Sequence, residues 1–247
     1  MTRPLVRLPR SLLSGAFFVA WGLFALPLAV VIPCLPKRAG RGLVRFFYRL
    51  FVLLARLTGL FAVAPGAGSA VPRGKIVVMN HVSLIDVCVL LARIPDSACV
   101  VKAAAKRNPF LSAVARKLFI FNDSGWEKTV ADAGRLLGQG VNVVIFPQGT
   151  RGGDTLHRGA ARLALATGTD VVPFSILYDP VVLAKGQPWW DVGDKVIRIS
   201  LEQRASIVPT GANDRAGAVA LTARIAEAIG VSCPDRTAPR NPAPDLV

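Results

Sequence analysis

The chain has 247 residues, of which 52% are hydrophobic, and it carries a formal net charge of +15. This apolar content excludes disorder for most of the chain, and it is high for an ordinary cytosolic enzyme. The four cysteines form no C-x-x-C pair and there are only two histidines, so the sequence indicates neither a disulfide scaffold nor a zinc cluster nor a His-built metal site.

An uncharged apolar run over residues 12–35 predicts the first helix. At ~1.5 Å per residue it is long enough to cross the ~30 Å hydrocarbon layer of a membrane. A cleaved signal peptide is the alternative, but the run is long for its apolar region and lacks a recognisable cleavage site. Positive residues flank the run more densely on its C-terminal side, which favours a cytoplasmic location for the rest of the chain.

Residues 42–64 predict a second helix. Arg41, Arg45 and Arg49 recur every four residues, and with Arg56 they form a basic stripe beside aromatic and aliphatic side chains. A basic amphipathic helix with aromatic anchors is typical of one that lies on a membrane. A core-packing helix with a solvated charged face is the alternative, and both interpretations can hold on different sides of the helix.

The positive charge is mostly a property of the N-terminal part of the chain. Asp86 is the first acidic residue, and the basic residues ahead of it run from Arg3 to Lys75. Because they flank apolar runs, they fit anionic lipid head groups better than nucleic acid. We therefore predict membrane-associated helices over residues 1–64, membrane lipids as partners and no nucleic-acid partner.

The rest of the chain alternates short β-rich runs with helical stretches. Residues 65–73, rich in Gly, Ala and Pro, predict a linker, and the Pro-rich tail 232–247 predicts disorder. The alternation predicts an α/β domain over residues 74–231 with a largely parallel sheet flanked by helices. Strands are predicted at 75–79, 98–101, 118–121, 141–146, 171–177 and 195–201, and helices at 84–92, 109–117, 126–137, 159–166 and 213–229.

The segment 80–86, just after the first predicted strand of this domain, reads N-H-V-S-L-I-D. A His at a strand end is placed to act as a general base, and a carboxylate can hold its other ring nitrogen. His81 and Asp86 are therefore candidate catalytic residues. The alternative is structural, because Ser83-x-x-Asp86 also resembles a capping box at a helix start.

The segment 146–151, F-P-Q-G-T-R, lies at the carboxyl end of another predicted strand, where ligands of open α/β sheets bind. Gly149 lets the backbone approach a ligand, Thr150 supplies a hydroxyl, and Arg151 supplies a planar fork for phosphate or carboxylate. A tight turn with a surface Arg is the alternative. The chain has no G-x-S-x-G, Walker A or G-x-G-x-x-G motif.

Together the two segments resemble the lysophospholipid acyltransferase family, also called the PlsC-like or 1-acyl-sn-glycerol-3-phosphate acyltransferase family. Asn80, His81 and Asp86 match its N-H-x-x-x-x-D block, and five of six residues of the second segment match F-P-E-G-T-R. Residues 158–160 (R-G-A) and 172–173 (V-P) resemble two further blocks, in the family's order.

The resemblance implies a glycerolipid acyltransferase-like fold and an enzyme that needs no cofactor. The acyl donor would be a thioester co-substrate, acyl-CoA or acyl carrier protein, and the acceptor the hydroxyl of a lyso-lipid. By resemblance His81 takes the hydroxyl proton and Asp86 orients it, and backbone N–H groups near Gly149 are candidates for stabilising the oxyanion. A bacterial inner membrane is the expected location, with the active domain facing the cytoplasm. The resemblance and the residue chemistry assign substrate binding to Asn80, Ser83, Lys102, Gln148, Gly149, Thr150, Arg151 and Arg158.

The chain departs from the family pattern at two places. Gln148 stands where the family has Glu, so no carboxylate role carries over. The second block ends in Asn122 and Asp123 instead of an Arg, which weakens the case for a glycerol-phosphate acceptor. The alternatives are an acyltransferase for a lyso-aminolipid or a specialised fatty-acid or polyene conjugate, and a non-catalytic membrane lipid-binding protein.

Two further sets of residues have less specific interpretations. Lys102, Lys106 and Arg107 predict a phosphate contact or a solvated basic surface. We expect His157 to be structural or on the surface, and the pair Trp189–Trp190 to lie in the core rather than to act as an interfacial anchor.

Overall fold

The computed structural model describes residues 4–64, 71–103, 112–123 and 125–231, with side chains from residue 7 onward. Most of the predicted linker, Lys106, Arg107 and the predicted disordered tail lie outside these ranges. The elements in chain order are α1 (Pro4–Cys34), α2 (Lys37–Leu57), β1 (Phe61–Val63), β2 (Ile76–Met79), α3 (Asp86–Arg93), β3 (Ser97–Val101), α4 (Ser112–Leu118), β4 (Ile120–Phe121), α5 (Trp126–Gly138), β5 (Asn142–Ile145), α6 (Gly159–Thr167), β6 (Val171–Asp179), β7 (Ile197–Gln203) and α7 (Arg215–Ala228).

The strands form one seven-stranded sheet in the order β1-β7-β6-β2-β5-β3-β4. Every neighbouring pair is parallel except β6 and β7, which are antiparallel. All four residues of β2 are buried, as expected of a central strand covered on both faces. The predicted largely parallel sheet is confirmed.

Helices cover both faces of the sheet. Successive side chains of the central strand β2 point to opposite faces, and each set packs against different helices. Val77 and Met79 belong to the apolar cluster that contains side chains of α2, α3 and α4. Ile76 and Val78 belong to the cluster formed with α5, α6 and α7. The structure is therefore an α/β fold of three layers.

The predicted second helix is wrong at its C-terminal end. α2 ends at Leu57, and Gly59 adopts a left-handed backbone conformation with φ +68° that breaks the helix. The next residues form β1, whose Phe61 is paired with Ile197 of β7. The apolar run over 42–64 thus serves two elements, which its composition alone does not separate.

α1 lies along the α/β domain and contacts it near both ends. Near its N-terminus Arg7 pairs with Asp191, and Arg10 donates to the carbonyl of Lys195 at 2.8 Å. Near its C-terminus Lys117 donates to the carbonyl of Pro33 at 3.0 Å. The segment Arg7–Cys34 of this helix is long and apolar enough to cross a membrane. The contacts at both ends nevertheless hold it against one side of the folded body.

The arginine stripe of α2 contacts protein, which agrees with core packing of this helix. Arg41 pairs with Asp96, while Arg45 and Arg49 donate to the carbonyls of Arg93 and Ala92 at 3.3 and 3.2 Å. Those carbonyls belong to the last turn of α3, where a helix carries partial negative charge. The core-packing interpretation therefore holds for the buried Arg41 and the half-buried Arg45, whereas the exposed Arg49 is compatible with both interpretations.

Candidate active site

The strand order brings the two sequence segments to one edge of the sheet. β2, β5 and β3 are parallel neighbours, so their carboxyl ends meet. His81 follows β2, the segment 146–151 follows β5, and Lys102 follows β3 directly. Residues that are far apart in the sequence thus surround one space, as expected for a ligand site of an open α/β sheet.

His81 and Asp86 form a hydrogen-bonded pair. The distance from His81 Nδ1 to Asp86 Oδ2 is 2.8 Å, the carboxylate is fully buried, and the imidazole is 19% exposed. The same oxygen accepts the backbone N–H groups of Val82 and Ser83 at 2.6 and 2.8 Å. Since Asp86 begins α3, it closes the turn and orients the imidazole at the same time. The capping-box interpretation holds only in part, because the Ser83 N–H bonds Asp86 but no side chain caps the start of α3.

Tyr178 of β6 is a third member of this group, which the sequence analysis missed. Its Oη donates to Asp86 Oδ1 at 2.5 Å, and the side chain is 9% exposed. Burial, followed by the nearby Asp86 charge, raises the pKa of this phenol well above its usual value, so the hydroxyl remains a donor. The two residues lie 92 positions apart, and no local pattern links them.

The segment 146–151 and the glycines after it hold the main chain of His81. Gln148 Oε1 accepts the His81 N–H, and Gly152 N–H donates to the His81 carbonyl at 2.8 Å. Gln148 Nε2 donates to the carbonyl of Gly153. Both ends of the buried Gln148 amide are therefore engaged within the protein, so its position supports a role in shaping the site and gives no support to a direct substrate contact.

Asn80 and Ser83 also lie behind the site. The Asn80 amide donates to the carbonyl of Ile176 at 2.9 Å and accepts its N–H at 2.7 Å, which fastens β2 to β6. Ser83 is fully buried. Neither residue is among those lining the cavity described next, so the structure does not support the predicted substrate contacts of these two side chains.

A cavity of about 870 Å³ opens at this edge of the sheet, with His81 in its wall. With Nδ1 bonded to Asp86, Nε2 is the ring nitrogen left for this space. One side of the cavity is apolar and comes from α1 and α2, including Trp21, Leu28, Phe47 and Tyr48. The polar residues of the wall include His81, Lys102, Asn122, Arg151 and His157.

Gly149 makes room for two of these polar side chains. Its φ is +67°, and a Cβ there would lie 2.9 Å from Cδ2 of His157 and 3.7 Å from Nζ of Lys102. His157 is exposed in the cavity wall, so it is a surface residue as expected, but one that belongs to the site. The N–H of Gly149 donates to the Phe146 carbonyl at 3.0 Å, so the predicted oxyanion role finds no support for this group.

Arg151 joins the cavity wall to a loop. Its Nη1 donates to the carbonyl of Leu183 at 2.9 Å, and the N–H of Leu84 donates to that carbonyl at 3.0 Å. Thr150 is exposed and Arg158 precedes α6, and neither is among the residues that line the cavity. The geometry thus supports Lys102 and Arg151 as ligand contacts and does not support Thr150 and Arg158.

The tryptophan pair contradicts the expected core position. Trp189 and Trp190 are 41% and 48% exposed, and they lie beside α1, with the Trp189 and Phe18 ring centroids 6.3 Å apart.

Two cysteines, Cys88 and Cys99, line the cavity, and burial raises the pKa of each thiol to about 12. Within the described ranges, no group of three or more His, Cys, Asp or Glu is arranged to hold a metal ion.

Comparisons with known proteins give a family match and a similar fold. Residues 68–177 match the family model described as Acyltransferase. The fold is similar to the crystal structure of the 1-acyl-sn-glycerophosphate (LPA) acyltransferase PlsC from Thermotoga maritima, with a TM-score of 0.68, 21% identity, and coverage of 90% of this chain and 94% of that one. The comparison with curated proteins finds no match.

Proposed function

From the match of residues 68–177 to the Acyltransferase family model, we propose that this chain is a PlsC-like enzyme that transfers an acyl group from acyl-CoA or acyl carrier protein to a lyso-lipid hydroxyl. The observation that carries the proposal is the 2.8 Å contact between His81 Nδ1 and Asp86 Oδ2 in the wall of a largely apolar cavity. A base at the boundary between polar and apolar surfaces fits two amphipathic substrates.

The reaction needs no nucleophile from the enzyme, because a thioester is already activated. His81 Nε2 takes the proton of the acceptor hydroxyl while its oxygen attacks the thioester carbonyl carbon. As the new C–O bond forms and the C–S bond breaks, the imidazolium returns the proton to the leaving thiolate. Asp86 stabilises the imidazolium, and such general-base assistance contributes typically ~10²–10⁴-fold to the rate.

Lys102 and Arg151 are the cations we assign to a substrate phosphate. Both are in the wall that contains His81, and Arg151 offers a planar fork suited to phosphate oxygens. The similar structure is that of an enzyme acting on LPA, which supports a lysophosphatidic-acid-type acceptor. Asn122 in the same wall supplies an amide where the family has an Arg, which favours a lyso-lipid with a less anionic head group as the second candidate.

We further propose that α1 and α2 attach the enzyme to one leaflet of a membrane. Leu12 and Val30 of α1 are 66% and 72% exposed, and Phe46 of α2 is 62% exposed. Because α1 contacts the domain near both ends, it would lie in the plane of the membrane instead of crossing it. This arrangement places the apolar cavity wall next to the lipid that supplies the acceptor. For a bacterial enzyme the cytoplasmic membrane is the surface concerned.

The test uses the full chain in detergent with oleoyl-CoA or oleoyl carrier protein, and lysophosphatidic acid or other lyso-lipids as parallel acceptors. Product formation is followed by mass spectrometry. His81→Ala should lower kcat about 10²–10⁴-fold, while Lys128→Gln on an exposed part of α5 should leave it unchanged.

Retained turnover in a folded His81→Ala variant would overturn the proposed mechanism. A wild type inactive with every acceptor and either donor would favour the lipid-binding alternative.

A further inference from the structure

We propose that Tyr178 is a positioning residue of this site, which holds the free oxygen of Asp86 and thereby fixes the carboxylate that orients His81. The proposal rests on the proposed function, because it assigns a task within the same hydrogen-bonded group. It concerns a side chain that does not line the cavity and that acts through another residue.

The distribution of donors around Asp86 is the first observation. Oδ2 accepts three hydrogen bonds, from His81, Val82 and Ser83, whereas Oδ1 accepts the hydroxyl of Tyr178. The carboxylate is fully buried, so no solvent is available to replace a missing donor. Without the phenol, the charge on Oδ1 would lack this partner, and only the hydrogen bonds to Oδ2 would hold the carboxylate in place.

The sheet explains why a tyrosine at this position reaches Asp86. Met79, the last residue of β2, is paired with Phe174, so β6 continues past it beside the His81 loop. Tyr178 is paired with Ile199 of β7 on its other side, which fixes its backbone. The ring belongs to the buried apolar cluster around the sheet. The hydroxyl is thus presented by a strand that β7 pairs at Tyr178 itself and that, on its other edge, β2 and the Asn80 side chain hold as far as Ile176.

Burial, together with the Asp86 charge, keeps the Tyr178 hydroxyl a donor over the working pH range. Burial and Asp86 raise the pKa of Tyr178 well above its usual value, and burial raises that of Cys88 to about 12. The other titratable groups among the described residues of the cavity wall are Tyr48, Cys99, Lys102, Arg151 and His157, which a change at position 178 leaves in place. Removing the hydroxyl therefore changes the charge density of Asp86 and leaves these groups intact.

The experiment is Tyr178→Phe, which keeps the ring and its packing. We expect kcat to fall about tenfold with KM changed less than about twofold, because the lost hydrogen bond lies outside the cavity. The acidic limb of the kcat/KM profile should move up by about half a pH unit, since a more basic Asp86 favours the imidazolium. In the His81→Ala background the same change should have no further effect on the residual rate.

Four outcomes would overturn the proposal: a folded Tyr178→Phe variant with wild-type kcat, a loss that appears only in KM, an unmoved pH profile, or an equal loss in the His81→Ala background. If the variant is folded only at low temperature or the wild type shows no turnover, the imidazole is titrated directly by ¹⁵N NMR at a temperature at which both proteins are folded. The chain has only two histidines, so His157→Asn assigns the signal. An unchanged His81 pKa in Tyr178→Phe would then refute the role, whereas turnover surviving His81→Ala would refute the proposed function instead.

Discussion

The site around His81 and Asp86 differs from the helices α1 and α2 in what it buries and what it exposes. The site buries a charged group, whereas the two helices expose apolar side chains. At the site a fully buried carboxylate receives four hydrogen bonds from the chain itself. In α1, leucine and valine side chains are up to 72% exposed. The first region is completed by its own residues, whereas the second has apolar surface that no other part of the described chain covers.

This difference predicts that substitutions in the two regions act in different ways. The geometry of the site follows from contacts within the protein, so substitutions there should change chemistry and stability in any solvent. The exposed surface of α1 and α2 should matter only when lipid is present, because burial of apolar area contributes about 25 cal/mol per Å² and none of the described residues supplies that burial. The predictions below test this separation.

The largest effect is expected for Asp86→Asn. An amide offers one oxygen where the carboxylate offers two, so it cannot accept all four hydrogen bonds, and it cannot stabilise an imidazolium by charge. We expect kcat to fall about 10³–10⁴-fold in detergent and on vesicles alike, measured by single-turnover product formation. Turnover within tenfold of the wild type, in a variant with a normal thermal unfolding curve, would contradict the assigned role.

Gly149→Ala should be the next most damaging change. The new Cβ would approach His157 to 2.9 Å at a φ of +67°. The strain destabilises the fold by about 1–3 kcal/mol, and the displaced wall should lower kcat/KM about a hundredfold. Gly168→Ala is the matched control, because its φ is +61° with nothing within 4 Å. Equal losses of activity in both variants would show that backbone strain alone is responsible.

Gln148→Glu should lower kcat about tenfold, although it restores the residue usual in the family. The carboxylate can still accept the His81 N–H, but it has no donor for the Gly153 carbonyl and repels it. Steady-state kinetics and thermal unfolding measure the loss. Higher turnover than the wild type would instead mark Gln148 as a defect of the site.

The smallest effect on chemistry is expected for the double variant Trp189→Ser, Trp190→Ser. These exposed rings adjoin α1, so their loss should weaken binding to phosphatidylglycerol vesicles about fivefold, equivalent to ~1 kcal/mol. Turnover of detergent-solubilised substrates should not change. Cosedimentation measures vesicle binding and a detergent assay measures turnover, so the two effects are determined separately. A matching fall of turnover in detergent would show that the tryptophan pair acts on the site and not on membrane binding.

The parts of the site that sequence could predict are those built from neighbouring residues and from the sheet. His81 and Asp86 lie five positions apart in one turn, and alternating strands and helices bring the ends of β2, β5 and β3 to one edge. Two features could not be predicted: the bond from Tyr178 to Asp86, and the bonds of Gln148 and Gly152 with the main chain of His81. The partners lie far apart in the sequence, 92 positions for Tyr178 and Asp86, so no local pattern links them.

The N-terminal region shows the opposite limit. Arginines every fourth residue along α2 predict a charged face but do not identify what it faces, and the partner is the last turn of α3. The sequence also does not show whether the tryptophan pair is buried or exposed, since an aromatic dipeptide suits a core and an interface alike. The three residues of β1 are too few to display a strand period after a long helical run.

The attachment of α1 near both ends has a consequence for how the protein meets a bilayer. In the proposed in-plane attachment, a rod of 31 residues, about 46 Å long, would separate the head groups of a single monolayer. Such entry would widen one monolayer and not the other, so we expect the protein to bind convex, loosely packed membranes more readily than flat ones.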